Sequence, residues 1–197
     1  MQTTNVIEAF LPLFQALATH RVDYVLTGSV AALLYGVTDI QPGDLDVVPH
    51  TDPANLARLT AALTDLDATT EPGGGTWFTD ERGEWKWRVH DLTEAERASW
   101  RWTPNYQDWQ TFDRIFNTRY GNLDIVPQIA GAYSDLVQRA ELMSVMGIAV
   151  AVASLEDLLA RLTLPRRNKD VDRVRQLRTV QAERANERRR SADTDHV

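Results

Sequence analysis

Apolar residues along the chain follow two rhythms. In "NVIEAFLPLFQALATHR", Val6, Ile7, Phe10, Leu13, Phe14 and Leu17 recur three and four apart, the spacing of one helical face. Pro12 sits inside that run and either kinks the helix or marks its true start. "DYVLT" at 23–27 is short, apolar and β-branched, which predicts a strand. After Gly28, "SVAALLYG" reads as a helix with Ser29 near its N-cap and Gly36 at its end. "QPG" at 41–43 signals a turn, and "DLDVVP" is a second strand closed by Pro49. "DPANLARLTAALTDL" is an amphipathic helix with Asp52 as cap and Pro53 at its first position.

The second half mixes the rhythms more closely. "EPGGG" is a loop and "EWKWRVH" alternates like a strand. "TFDRIFNTRYGNLDIVP" predicts a hairpin, with "DRIFNTRY", a turn at Gly121-Asn122, then "LDIVP". "GAYSDLVQRAEL" predicts a helix and "SVMGIAVAVAS" a strand. Ser154 caps the helical block "LEDLLARL", and after Pro165 a further helix is expected from about 167 to 190. Antiparallel hairpins among helices make an α+β class: a short mixed β-sheet flanked by helices, with a helical C-terminal segment. The expected division is a core over 1–153, a helical segment over 154–190 packed on it, and a disordered tail over 191–197.

Composition narrows the chemistry. Of 197 residues 43% are hydrophobic, enough for one core. With no cysteine there is neither a disulfide framework nor a thiol nucleophile, and the four histidines have no ligand spacing. No apolar run approaches the ~20 residues that cross a bilayer. The N-terminus lacks a basic leader, so the reading is a soluble cytoplasmic protein with no membrane partner. The net charge of −7 is unevenly spread. Residues 166–190 carry ten basic and four acidic side chains on an otherwise acidic body. Such a segment is either a solvated helix or a landing place for phosphates.

Two strands place acids where apolar residues are expected. Asp44 and Asp46 are two apart and project to one face, while Leu45 and Val47 go the other way. Like charges about 6–7 Å apart on a core strand repel, and a hard divalent cation would reverse that cost. Asp124, in "NLDIVP", repeats the pattern of "DLDVVP", so the two strands are expected to be sheet neighbours with three carboxylates converging. An Asp-x-Asp alone equally fits a turn or a solvent-facing strand. Gly28 and Ser29 open a helix whose first N–H groups suit an anion, or simply cap it. Trp77, Trp85, Trp87, Trp100, Trp102 and Trp109 are candidates for base stacking or for ordinary packing.

The order Leu26-Thr27-Gly28-Ser29, a helix, Asp44-Leu45-Asp46-Val47, then a later single Asp resembles the DNA polymerase β-like nucleotidyltransferase superfamily. "TRYGNLDIVP", "GAYSDLVQRA" and "VASLEDLLARLTLPRRNKDVDRVRQL" are similar to the minimal nucleotidyltransferase toxins of toxin–antitoxin loci, the AbiEii-like and MenT-like groups. The resemblance covers about residues 20–180. It implies a nucleotidyltransferase fold and transfer of NMP from an NTP to an acceptor hydroxyl, the tRNA 3′ end or another RNA first. Transfer to a small molecule, as in aminoglycoside nucleotidyltransferases, or to a protein, and an inactive nucleotide- or partner-binding module, stand as alternatives. By position, Asp44, Asp46 and Asp124 would be catalytic and hold two Mg²⁺ ions, with Mn²⁺ as substitute. Gly28, Ser29, Arg167 and Lys169 would bind the nucleotide, and a cognate antitoxin would be a partner. The chain departs from the pattern in having Arg161 where many relatives carry a Lys, and in that a later aspartate of the pattern, falling at Asp172 or Arg173, is shifted or lost.

Overall fold

The computed structural model describes residues 6–70, 75–79, 81, 85–89, 114–126, 130–162 and 168–194. Pro12 proves to open α1 (Leu11–Thr19), at a position where its missing N–H is no loss. β1 (Tyr24–Leu26) leads through Thr27 into α2 (Gly28–Leu34), and the chain returns as β2 (Asp44–Pro49). α3 (Pro53–Asp65) starts as the sequence indicates, with the Asp52 carboxylate accepting from the N–H groups of Ala54 and Asn55 at 3.0 Å each. β3 (Thr69–Thr70), β4 (Gly75–Thr79), β5 (Trp85–Val89), β6 (Arg114–Thr118) and β7 (Gly121–Ile125) follow. Then come α4 (Tyr133–Leu136), β8 (Glu141–Val145), β9 (Ile148–Val152), α5 (Leu155–Arg161) and α6 (Asn168–Thr194).

Seven strands form one mixed sheet in the order β3-β6-β7-β2-β1-β9-β8, and β4 pairs with β5 apart from it. β2 lies at its centre, antiparallel to β1 and parallel to β7. Leu45, Val47, Leu123 and Ile125 are buried together with Leu13, Phe14 and Leu17 of α1 and Leu56, Leu59 and Leu63 of α3. This apolar packing fixes the register of β2 against β7, because a slip of one residue would turn every buried side chain to the wrong face.

Four expectations are corrected. The run 144–154 is no single strand: Met146 and Gly147, at φ 52° and 87°, form a two-residue turn between β8 and β9. Paired left-handed residues match the strand twist, so Gly147 breaks the run. The helix expected over 131–142 is four residues long, since from Glu141 the backbone pairs with β9. The β6–β7 turn falls at Arg119-Tyr120, two residues before the expected place, because Gly121 already pairs with Thr118. α6 runs on to Thr194, past the expected end at 190 and into the tail read as disordered. Its Arg, Gln, Glu and Ala residues are good helix formers and sustain it without a break. Trp77, Trp85 and Trp87 lie on β4 and β5. Trp100, Trp102 and Trp109 lie outside the described residues, as do the side chains that a stacking role would need.

Candidate active site

Parallel pairing puts Asp44 opposite Asn122, Leu45 opposite Leu123 and Asp46 opposite Asp124. Registered residues share a face, so Asp46 and Asp124 stand side by side, and Asp44 projects the same way two residues earlier. Asp44 also shares a side-chain hydrogen bond with Asp124. The three acids singled out in the sequence therefore meet. Asp46 is 6% exposed and Asp124 8%, while Asp44 lies nearer the surface.

Such crowding opposes ionisation. Burial, then the charge of Asp44, pushes Asp46 up to about 6, against the pull of Arg161 and of the Ser29 backbone N–H. Burial, then Asp44 and Asp46, pushes Asp124 up to about 8. This environment favours the protonated form of Asp124, the form that can donate to Asp44. Its Oδ1 is buried with no hydrogen-bond partner.

The turn at the head of α2 fits against this cluster. Gly28 has φ +70°, and a Cβ there would lie 1.7 Å from Asp46 Oδ2. Only a residue without a side chain allows that approach. Thr27, in extended conformation, precedes the helix and donates its N–H to the Asp46 carbonyl at 2.9 Å. Thr27 therefore holds the cap position expected of Ser29. Ser29 lies within the first turn, and its Oγ instead accepts from Arg173 Nη2 at 3.0 Å.

Two cations come from the C-terminal helices. Ser154 caps α5 through the Asp157 N–H, and Leu155 and Leu158 bury its inner side. The helix ends on Arg161, whose Nη2 is 3.5 Å from Asp46 Oδ1. α6 is anchored by Leu177, fully buried, and by Gln176, which accepts from the Thr38 N–H at 2.8 Å. Arg173 on the same helix is 9% exposed at the Gly28-Ser29 turn. Neither arginine was a candidate site residue in the sequence; the signal for Arg161 was a lone base in "LEDLLARL". Arg167 lies outside the described residues, and Lys169 is described by its backbone alone, as the second residue of α6.

The donor set suits a hard divalent ion: three carboxylates, one with an orphaned buried oxygen. As they stand, no three His, Cys, Asp or Glu side chains among the described residues have the arrangement of a formed metal centre. The Arg161 guanidinium stands against the acids instead.

No family model and no curated protein matches the chain. Solved structures do. The chain superposes over all its length on 97% of the antibiotic-resistance factor ANT(2'')-Ia, with a TM-score of 0.50 at 16% identity. The chain has a nucleotidyltransferase fold. A second similar structure is an antigenic nucleotidyltransferase-like protein from Paracoccidioides brasiliensis, with a TM-score of 0.45 and 16% identity over 97% of this chain and 90% of that one. No helix among the described residues is long and apolar enough to cross a membrane.

Proposed function

We propose that the chain is a Mg²⁺-dependent nucleotidyltransferase acting on RNA, with the tRNA 3′ end as acceptor, and that it serves as the toxin of a toxin–antitoxin pair. The observation that carries the reading is the convergence of Asp44, Asp46 and Asp124 on adjacent strands beside a glycine turn packed onto Asp46. In the reaction an acceptor oxygen bonds to the α-phosphorus of an NTP, the bond to the β-phosphate oxygen breaks, and pyrophosphate leaves. Asp44, Asp46 and Asp124 would hold Mg²⁺, or Mn²⁺ in its place, which supplies charge neutralisation for the attacking and leaving oxygens.

The chain's own groups divide the remaining work. Asp124 would help deprotonate the acceptor hydroxyl. Gly28 and Ser29, with Arg173 against Ser29, receive the phosphates, joined by Arg167 and Lys169. The basic run of α6, ending in Arg188, Arg189 and Arg190, follows the RNA backbone. A tRNA substrate places the protein in the cytoplasm and makes a neutralising antitoxin its expected partner.

Incubation with each α-labelled NTP, Mg²⁺ and total tRNA tests the reading; label on tRNA, absent with Asp46→Ala, supports it. Full-length superposition on an antibiotic-resistance factor favours a second reading, a small-molecule acceptor. Label passing to an aminoglycoside and not to tRNA would select it. NTP binding without turnover on any acceptor would identify a binding module instead.

A further inference from the structure

Asp46 is engaged on both sides. Its Oδ2 lies under Gly28, so close that a methyl group there would overlap it. Its Oδ1, the oxygen left for a ligand, is approached by Arg161 Nη2 at 3.5 Å. The two side chains are 8% and 20% exposed, so the pair is shielded from water. The arginine is incompletely satisfied: its Nη1 is buried with no hydrogen-bond partner. Arg161 is thus a cation held near the acids by charge, at long hydrogen-bond range, and not locked by a bidentate fork.

We propose that Arg161 is the resident counter-cation of the three-carboxylate cluster, and that it and a divalent ion exclude each other from Asp46. The inference rests on the metal-binding reading above. A guanidinium and a divalent ion sharing one buried carboxylate oxygen would repel at close range, in a setting that screens poorly. Asp44, Asp46 and Asp124 would therefore hold the ion only with Arg161 displaced from Asp46 Oδ1. Arg161 is a positioning residue: it sets how tightly the acids take the metal and when they do so.

Binding of Mn²⁺ to the full chain, followed by calorimetry, tests this with no need for turnover. Arg161→Met is expected to tighten Mn²⁺ binding about tenfold and, without metal, to lower Tm. Arg161→Lys keeps the charge and is expected to bind Mn²⁺ within about threefold of the wild type. Arg58→Met removes the remote ion pair with Asp23 and is expected to lower stability with no change in Mn²⁺ affinity. Unchanged or weaker affinity in Arg161→Met overturns the inference and leaves the metal reading in place. Absence of binding in wild type and Arg161→Met alike overturns both. Should Arg161→Met not fold, wild-type protein with labelled arginine decides: Mg²⁺ must shift the Arg161 Nε–H resonance, and a resonance unmoved at saturating Mg²⁺ rejects the exclusion.

Discussion

Replacing Asp124 by asparagine is expected to stabilise the metal-free protein, increasingly so as pH rises. The acid goes from its ordinary 3.8 to about 8 in the folded chain. A carboxyl with a raised folded pKa contributes stability that is complete below its unfolded value and is lost as pH climbs through the folded one. Over that interval the native state holds up to one more proton than the unfolded chain, so stability falls by up to about 1.4 kcal/mol per pH unit. By pH 7 the accumulated loss is on the order of 4 kcal/mol, a large share of a typical domain's stability. The asparagine side chain has no such linkage, and its amide can still donate to Asp44. Urea denaturation with a chelator present, from pH 5 to pH 8, should show the variant's advantage growing by a few kcal/mol. Excess Mg²⁺ should reverse the order, because only the wild type keeps all three ligands. An advantage that is the same at pH 5 and pH 8 would refute the electrostatic account of the cluster.

The other expectations are simpler. Asp46→Ala should abolish nucleotidyl transfer by at least about a thousandfold with the circular dichroism spectrum retained; activity within tenfold of wild type at saturating Mg²⁺ would remove the assignment. Gly28→Ala meets both a φ of +70° and the Asp46 carboxylate 1.7 Å from the new Cβ, so a loss of about 2–4 kcal/mol is expected by denaturation; an unchanged midpoint would deny the close approach. Leu177→Ala empties a fully buried site and should cost about 2–5 kcal/mol, with early proteolysis in α6 as its signature. Arg173→Met should raise the KM for NTP about tenfold at little change in kcat, whereas an effect on kcat alone would place Arg173 elsewhere in the reaction.

The acids were legible in the sequence because their signal is local. Asp44 and Asp46 interrupt an apolar strand at a spacing of two, and "NLDIVP" repeats that pattern closely enough to predict the pairing observed between Asp46 and Asp124. Gly28 was legible as a turn, yet its reason was not, since the constraint comes from the Asp46 side chain across the sheet. Arg161 and Arg173 were out of reach for a related cause. They meet their partners over separations of 115 and 144 residues, and only tertiary packing of α5 and α6 brings them there. Propensity misled at 137–142, where "VQRAEL" contains good helix formers but the strand that pairs with β9 already begins at Glu141. Ladder pairing outweighed a preference worth a few tenths of a kcal/mol per residue.

α6 ties distant parts of the molecule together. From Arg173 at Ser29 to Arg184, which holds the edge-strand residue Glu141 at 2.8 Å and lies over the Tyr35 ring, one rigid rod spans about 16 Å. The Gly28-Ser29 turn and the outer rim of the sheet are therefore clamped by the same piece of backbone. Strain applied at the Arg184–Glu141 pair is thus carried along a single helix to the Ser29 turn and the carboxylates beside it.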